Sequence, residues 1–244
     1  MPAPADQIIE LRRRFDDAPP SRILATVLGE VFTGRIAVVS SFGADAAVLL
    51  HLVATIDRAT PVLFIDTGRH FPETLQYRDL LIGHLGLTAV RSIGPSAAEI
   101  ERLDADSNRS TWDPDGCCAF RKVVPLEQAL EGVDAWITGR KRFQGATRTH
   151  MPIFEIDGRH VKINPLAAWS ATDIQAYATT LALPEHPLLA RGYRSISCAP
   201  CTSAVGPDEE QRAGRWRGFE KTECGIHRPA LANQPLTNQS SSGK

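Results

Sequence analysis

Residues 36–66 read IAVVSSFGADAAVLLHLVATIDRATPVLFID, and this stretch decides the fold. The runs 36–42 and 61–66 are short, apolar and rich in β-branched residues, and they end in glycine-containing turns, as buried parallel strands do. The segment 44–56 between them has the length and apolar content of a helix. Strand, helix and strand together predict one βαβ unit.

The rest of the chain continues this alternation. Further strands are predicted at 87–93 and 134–141, and further helices at 71–86, in part of 117–132 and at 170–183. Pro125 is a candidate break within the second of these helices, because proline removes a backbone donor. The alternation implies an α/β fold with a doubly wound, mainly parallel sheet.

One main domain and a distinct tail are expected along the 244 residues. The main α/β domain is assigned to residues 1–210, and residues 1–35 form its helical N-terminal extension. Residues after about 184 are rich in Pro, Gly, Arg and Cys and are predicted to be mostly loop. The segment 211–227 is predicted to be a mobile tail segment, and 228–244, which has few apolar residues, to be disordered.

Composition and charge exclude several classes of protein. The formal net charge is -1, so there is no global nucleic-acid signature and no nucleic-acid partner is expected. No apolar run approaches the ~20 residues that a membrane span needs. Residues 1–15 have no apolar core after a basic start, so no secretory signal is expected. We therefore expect a cytoplasmic protein, in which clustered cysteines are more often metal ligands or catalysts than disulfides.

The turn after the first strand is a candidate phosphate site. It holds Ser40, Ser41 and Gly43 between a strand and a helix. Backbone N–H groups at a helix N-terminus can cradle a phosphate, and glycine lets the ligand approach. Gly43 also suits an ordinary turn. The turn is neither a Walker A loop nor GxGxxG, which disfavours the classical ATPase and dinucleotide-binding interpretations.

The turn after the second strand holds Asp66, Thr67 and Gly68. It lies at the carboxyl end of its strand, which is the edge where open α/β sheets bind ligands. An acidic residue there can accept a hydrogen bond from a ribose hydroxyl or an adenine amino group. The alternative is that Asp66 caps the next helix.

Four cysteines fall into two pairs. Cys117 and Cys118 are adjacent, and Cys198 and Cys201 form a CxxC pair. Four thiolates from two short segments fit a four-cysteine metal site or a [4Fe–4S] cluster. The CC pair departs from the usual CxxC…CxxC zinc spacing and favours a cluster. Free buried thiols or a CxxC redox pair are the alternatives.

The fifth cysteine, Cys224, stands alone in EKTECGIH, residues 220–227. Its neighbours are polar, so we expect an exposed thiol. Two basic segments, 139–150 and 212–221, carry arginines that can bind phosphate or sulfate oxygens through both arms of the guanidinium. Each segment alone also suits a solvated surface or RNA contact. The candidate anion-binding residues are Lys122, Arg140, Arg148, Arg212 and Arg215.

Seven motifs follow one another from about residue 40 to residue 227. They read SSFGADAAV, LFIDTGRHFPET, CCAFRKVVPL, TGRKRFQGATR, YRSISCAPCT, RAGRWRGFEK and KTECGIH. In this order they resemble the assimilatory sulfonucleotide reductases, which are the adenylyl-sulfate (APS) and phosphoadenylyl-sulfate (PAPS) reductases. The resemblance covers most of the chain, and KTECGIH is its most specific motif.

The resemblance implies an adenine nucleotide alpha hydrolase-like, Rossmann-like fold with the first two turns around the nucleotide. Family members with both cysteine pairs contain a cluster and mostly use APS, so a [4Fe–4S] cluster on the four paired cysteines and APS as substrate are implied. Ser197 stands where we expect glycine, but it supplies no ligand. Ala46 stands where the related ATP pyrophosphatases close the turn with serine, which argues against pyrophosphate chemistry.

The resemblance also implies a mechanism. The thiolate of Cys224 attacks the sulfur of APS, expels AMP and leaves an S-sulfocysteine, which thioredoxin then reduces to release sulfite. Lys221 and His227 lie three residues on either side of Cys224 and are candidates to assist it. His227 is also assigned to substrate binding. A homo-oligomer is compatible with the sequence, which does not give the oligomeric state.

Three other functions remain open at this point. A PAPS reductase has the same fold and differs in its substrate. A tRNA-modifying PP-loop enzyme with structural zinc needs an ATP-pyrophosphatase loop that this chain lacks. A non-catalytic nucleotide or redox sensor would use Cys224 as its sensing thiol.

Overall fold

The structure, a computed structural model, describes residues 5–227. The predicted disorder of 228–244 lies outside them. The described residues contain a six-stranded sheet with the order β3-β2-β1-β4-β6-β5, in which β5 alone is antiparallel to its neighbour. The strands are β1 (Ile36–Ser40), β2 (Val62–Ile65), β3 (Val90–Ile93), β4 (Ala135–Ile137), β5 (Phe154–Asp157) and β6 (His160–Ile163).

Helices pack against this sheet, and apolar side chains fill the space between the strands and the helices. No described helix is both long and apolar enough to cross a lipid bilayer. The helices are α1 (Ala5–Phe15), α2 (Pro20–Thr26), α3 (Ala46–Ala54), α4 (Pro72–Leu85), α5 (Ala97–Asp104), α6 (Pro114–Cys118), α7 (Val124–Ala129) and α8 (Ala171–Thr180).

The βαβ unit and the doubly wound, mainly parallel sheet are confirmed. Strands β1 and β2 pair in parallel on either side of the connection through α3. Helix α4 begins at Pro72 and ends at Leu85, and the next residue, Gly86, takes the left-handed conformation at φ 64°. At the start of α8, Ser170 and Asp173 form the reciprocal hydrogen bonds of the predicted capping box.

Pro125 does not interrupt the helical structure that follows the cysteine pair. A π-helical turn, Ala119–Val123, joins α6 to α7, and the N–H of Val124 reaches back to the carbonyl of Ala119. Pro125 then falls in the first turn of α7, where its missing N–H leaves no hydrogen bond unmade. The continuous helical path buries Lys122 and turns it toward the cleft described below.

The sequence analysis missed the hairpin β5–β6. Its sequence, FEIDGRHVKI, alternates apolar and polar residues around Asp157 and Gly158, a known hairpin signal. Gly158 has a φ of 61°, which favours glycine. The hairpin adds β6 beside β4 in parallel, and this register places Lys162 next to Trp136.

His186 should make stability depend on pH. Its Nδ1 accepts the N–H of Leu188 at 3.2 Å, and its Nε2 lies 3.0 Å from Thr74 Oγ1. Burial lowers the pKa of His186 from 6.5 to about 4, so the unfolded state binds more protons between these values. Stability therefore falls as the pH falls through this window, by about 2 kcal/mol between pH 7 and pH 5.

Urea unfolding at the two pH values measures this loss. His186→Gln removes the titrating group, so the variant should lose about 2 kcal/mol less than the wild type over the same interval. Equal losses in the two proteins would show that other groups cause the acid sensitivity.

Candidate functional site

A cleft lies at the carboxyl ends of the central strands, between the turn after β1, the loop after β4 and the chain from Arg194 to His227. The structure brings most of the predicted binding residues together in it. Those that line it are Ser40, Ser41, Gly43, Thr67, Lys122, Arg140, Arg148, Arg212, Arg215, Cys224 and His227. Asp66 and Gly68 are not among the lining residues. The carboxylate of Asp66 accepts the N–H of Gly68 at 2.9 Å.

The first turn is shaped by contact with a distant loop as well as by its own residues. Ser40 Oγ accepts the N–H of Phe42, whose φ of 48° is unusual for a residue with a side chain. A Cβ at Gly43 would lie 3.0 Å from the carbonyl oxygen of Ile196. Gly43 therefore lets the segment around Ile196 close onto the turn, which the sequence analysis did not foresee.

The sequence analysis also missed three residues that join the first turn to the loop after β4. The ammonium of Lys141 lies 2.8 Å from Asp45 Oδ2, and Gln144 Nε2 donates to the same oxygen at 3.3 Å. Lys141 is 2% exposed, and its ion pair with Asp45 connects two segments that are 96 residues apart in sequence. No local pattern pairs them, although Lys141 lies in a basic segment that was singled out.

The arginines of the cleft differ in how far their charges are already paired. Arg140 pairs with Glu155 and donates from Nε to Asn164 at 3.2 Å. Arg148 holds Glu223 through two hydrogen bonds of 2.5 and 2.7 Å. Arg212 lies 3.5 Å from the same carboxylate. Glu223, which was not among the predicted site residues, therefore occupies two of the predicted anion-binding arginines.

Two other cations of the cleft have no carboxylate partner among residues 5–227. Lys122 is buried and donates to Ser197 Oγ at 3.1 Å. The guanidinium of Arg215 lies over the ring of Trp216 at 4.3 Å, and its Nε has no hydrogen-bond partner in the described structure. Enclosed cations without a counter-charge are costly, so this part of the cleft fits an anion.

The expectation that Cys224 is exposed was wrong. The thiol is 8% exposed and packs against Cys118 and Trp216. Its polar neighbours misled the sequence analysis, because Glu223 is neutralised by arginine and the ring of His227 stacks on Trp136. Polar residues next to a buried thiol are tolerated where each of them has a partner of its own.

The chain around Cys224 lies close to the helical path that carries the CC pair. A Cβ at Gly225 would lie 2.9 Å from Val123 Cγ2, so a side chain at position 225 would push the segment away. The N–H of His227 donates to the carbonyl of Cys224 at 2.9 Å and closes a 3₁₀ turn. The described part of the predicted tail is thus folded over the cleft, and its mobility stays a prediction.

The surroundings of Cys224 favour its thiolate. The pKa of Cys224 lies well below its usual value, and the largest cause is a hydrogen bond from Cys118. Burial acts in the opposite direction and raises the pKa. Lys122, the N–H of Ile226 and Arg215 lower it further. A metal-bound Cys118 has no proton to donate. The contributions of Lys122, Ile226 and Arg215 do not depend on Cys118.

The two cysteine pairs meet in space. Cys117, Cys118 and Cys198 are buried, Cys201 is half-buried, and all four are free thiols. Burial, together with the nearby Cys198 and Cys201, raises the pKa of Cys117 to about 11. Among residues 5–227, no group of three or more His, Cys, Asp or Glu side chains is arranged around a common metal position.

The chemistry of these donors nevertheless fits an iron–sulfur cluster. Lys122, the hydroxyl of Thr67 at 3.2 Å and Arg215 together lower the pKa of Cys198 despite its burial. Cations beside buried thiols favour the thiolate, which is the form that binds metal. A cluster held by four thiolates would carry net negative charge, and Lys122 and Arg215 are placed to offset it.

The chain resembles known proteins at the levels of family, sequence and fold. Residues 35–204 match the phosphoadenosine phosphosulfate reductase domain. An adenosine 5'-phosphosulfate reductase of Mesorhizobium japonicum is 50% identical over 212 residues, which are 87% of this chain and 84% of that protein. One from Chelativorans sp. is 46% identical over 241 residues, 97% of this chain and 98% of that protein.

Solved structures agree with the fold. A phosphoadenylyl-sulfate (PAPS) reductase from Candida auris superposes with a TM-score of 0.69 at 25% identity, covering 84% of this chain and 99% of that one. Yeast FAD synthetase superposes with a TM-score of 0.52 at 17% identity, covering 81% of this chain and 68% of that one, which shows a shared fold alone.

Proposed function

The chain belongs to the phosphoadenosine phosphosulfate reductase family, and from this premise we propose that it reduces APS to sulfite and AMP in sulfate assimilation. One observation carries the proposal: Cys224 lies in the same cleft as the turn after β1 and as Lys122 and Arg215, two cations that have no carboxylate partner among residues 5–227. That combination suits a thiol that reacts with a sulfated nucleotide. The relatives named adenosine 5'-phosphosulfate reductase support APS as the substrate.

The substrate binds with its nucleotide at the turn that holds Ser40, Ser41 and Gly43, where backbone N–H groups can meet a phosphate. Its sulfate points toward Lys122 and Arg215, whose charges stabilise an anion that the rest of the enclosed cleft would disfavour. Arg148 and Arg212 become available to the substrate to the extent that Glu223 releases them.

The first chemical step breaks the bond between sulfur and the phosphate oxygen. The thiolate of Cys224 attacks the sulfur of APS, a sulfur–sulfur bond forms, and the electron pair of the broken bond leaves with AMP. The enzyme then carries S-sulfocysteine. AMP is a stable anion, so cations that hold the leaving group matter more than a strong general acid.

The second step needs a dithiol donor, which we assign to thioredoxin in the cytoplasm. One thiolate of the donor attacks the sulfur of Cys224 and expels sulfite with its electron pair, which leaves a mixed disulfide. The second donor thiol resolves this bond, so the donor is oxidised to its disulfide and Cys224 returns as a thiolate. Because Cys224 is 8% exposed, the segment 211–227 has to open before the donor can reach it.

A [4Fe–4S] cluster would be held by Cys117, Cys118, Cys198 and Cys201. When bound, it supplies anionic charge that orders the neighbouring cations and sets the electric field at the sulfate. Lys122 is placed to respond to that charge, because its ammonium lies near Cys198, Cys118 and Cys224, whose charges raise its pKa. Electrons for the reaction come from the dithiol donor.

Sulfite formation by anaerobically purified protein with reduced thioredoxin tests the proposal. APS is expected to be used with a kcat/KM at least about tenfold above that of PAPS, because discrimination reflects the contacts made to the extra phosphate. PAPS is the alternative substrate, because a relative from Gloeobacter violaceus is named phosphoadenosine 5'-phosphosulfate reductase. That relative is 37% identical over 222 residues. A preference for PAPS would mean that PAPS is the substrate instead of APS. If the protein forms sulfite from neither nucleotide, the proposal is refuted.

A further inference from the structure

Two buried residues outside the candidate catalytic and binding set hold the end of the folded tail. Lys162 on β6 is 3% exposed, and its ammonium donates to the carbonyl of Ile226 at 3.0 Å. The same ammonium lies 4.5 Å from the centre of the Trp136 ring and 4.0 Å from Asp157 Oδ2. Trp136 and Lys162 are register partners on the neighbouring strands β4 and β6.

Trp136 contacts the next residue of the tail. Its ring lies nearly parallel to the imidazole of His227, at an interplanar angle of 12° and a centroid distance of 6.3 Å. Its indole N–H donates to Asp157 Oδ2 at 3.0 Å, which fixes the ring from the other side. Two consecutive tail residues, Ile226 and His227, therefore contact side chains of two adjacent strands, and only Gly225 separates them from Cys224.

The docked tail gives a physical reason for a buried lysine at this place. Burial, together with the nearby Arg140, lowers the pKa of Lys162 to about 8, which reflects the cost of enclosing its charge. The carbonyl of Ile226, the carboxylate of Asp157 and the face of Trp136 offset this cost. When the tail leaves, Lys162 loses the closest of its polar partners.

This contact differs from the one that Glu223 makes at the other end of the segment. Glu223 is held by Arg148 and Arg212, and an incoming sulfated nucleotide competes with it for those arginines. Lys162 and Trp136 do not line the cleft, so an anionic substrate bound there does not compete for the carbonyl and the ring that they hold. The docking contact therefore persists while the substrate is bound.

We propose that Lys162 and Trp136 are positioning residues that form a docking seat for Ile226 and His227, and that this seat holds Cys224 over the cleft in the closed state. The inference rests on the proposed function in taking Cys224 as the nucleophile. The two residues act through the tail and do not touch the reacting atoms.

The accessibility of Cys224 tests the seat without turnover. Alkylation by iodoacetamide is followed by mass spectrometry in the tryptic peptide of residues 222–244, because trypsin does not cleave between Arg228 and Pro229, and no nucleotide is present. Lys162→Met keeps the apolar stem and removes the donor, and it is expected to raise the alkylation rate about fivefold. Losing a nearby cation by itself lowers the thiolate fraction and the rate, so electrostatics alone predicts the opposite sign.

The matched control is Arg159→Met, which removes an exposed cation from the same hairpin. It should leave the alkylation rate unchanged. In the APS assay, Lys162→Met should lower kcat about tenfold and change KM less than twofold, since a misplaced nucleophile affects the step more than binding. Equal alkylation rates in the Lys162 and Arg159 variants would overturn the proposal.

A second pair of variants decides the question if Lys162→Met fails to fold, because His227 lies outside the sheet. His227→Phe keeps a ring to stack on Trp136 and should alkylate like the wild type, whereas His227→Ala should alkylate about fivefold faster. Equal rates in these two variants would also overturn the seat. If the wild type makes no sulfite from APS or PAPS, the proposed function fails, and the alkylation rates still decide whether the seat exists.

Discussion

Replacement of Cys224 by serine is expected to reduce sulfite formation at least about 10⁴-fold, the largest loss predicted for any single change. The serine hydroxyl is not ionised at neutral pH. The cations Lys122 and Arg215, which help to lower the pKa of the thiol, cannot turn a hydroxyl into a comparable nucleophile. The measurement is a single-turnover assay of AMP release from APS, followed by sulfite release on addition of reduced thioredoxin.

The same variant should keep the properties that do not depend on the thiol. Serine is close to cysteine in shape, so the nucleotide affinity and the iron content are expected to match those of the wild type. Mass spectrometry of the wild type after APS addition should show sulfonate on the peptide that contains Cys224, and the variant should show none. Sulfite formation at a rate near that of the wild type would mean that another group attacks the sulfur.

The second large effect is expected from Cys198→Ala, which removes one of the four predicted cluster ligands. Iron should fall from about four atoms per chain to less than one, because three thiolates do not retain a four-ligand cluster. Cys198 also interacts with Lys122 and Arg215, which would be left enclosed without their counter-charge. We expect the free energy of unfolding to fall by on the order of 3 kcal/mol and activity to be lost.

Iron and acid-labile sulfide analysis, together with denaturant unfolding, measure these losses. Cys224→Ser is the matched control, since it alters another buried cysteine that is not a predicted ligand. Cys224→Ser should therefore keep its iron and lose sulfite formation, whereas Cys198→Ala should lose its iron. Wild-type protein that carries zinc, or no metal, would exclude the cluster, and an unchanged iron content in Cys198→Ala would remove Cys198 from the ligand set.

Much of the fold could be predicted because its signals are local. The alternation of short apolar runs with helices identified the parallel sheet, and the positions of Pro72 and Gly86 gave the ends of one helix. The hairpin β5–β6 was missed, although Asp157 and Gly158 mark its turn. Pro125 was treated as a break, yet the preceding π-helical turn leaves the proline in a first turn where it costs no hydrogen bond.

The candidate site was less accessible to sequence analysis. The residue types of the anion cleft could be named from the basic segments, but their pairing could not, because Arg148 and Glu223 are 75 residues apart in sequence. The prediction that Cys224 is exposed was wrong for a related reason. Its polar neighbours predict a solvated segment only when their distant partners are unknown.

Local sequence patterns are sufficient for the α/β class, the βαβ unit, the two cysteine pairs, the basic segments and the resemblance of the seven motifs, because each of these is carried by residues that are near one another along the chain. The folded structure was needed to find that Cys224 is buried, that Glu223 occupies two arginines of the cleft, and that Lys162 and Trp136 contact Ile226 and His227. Those relations depend on strand register and on contacts between segments far apart in sequence. Local patterns carry no information about such contacts, since the free energy of each arises only when the chain has folded and both partners have left water.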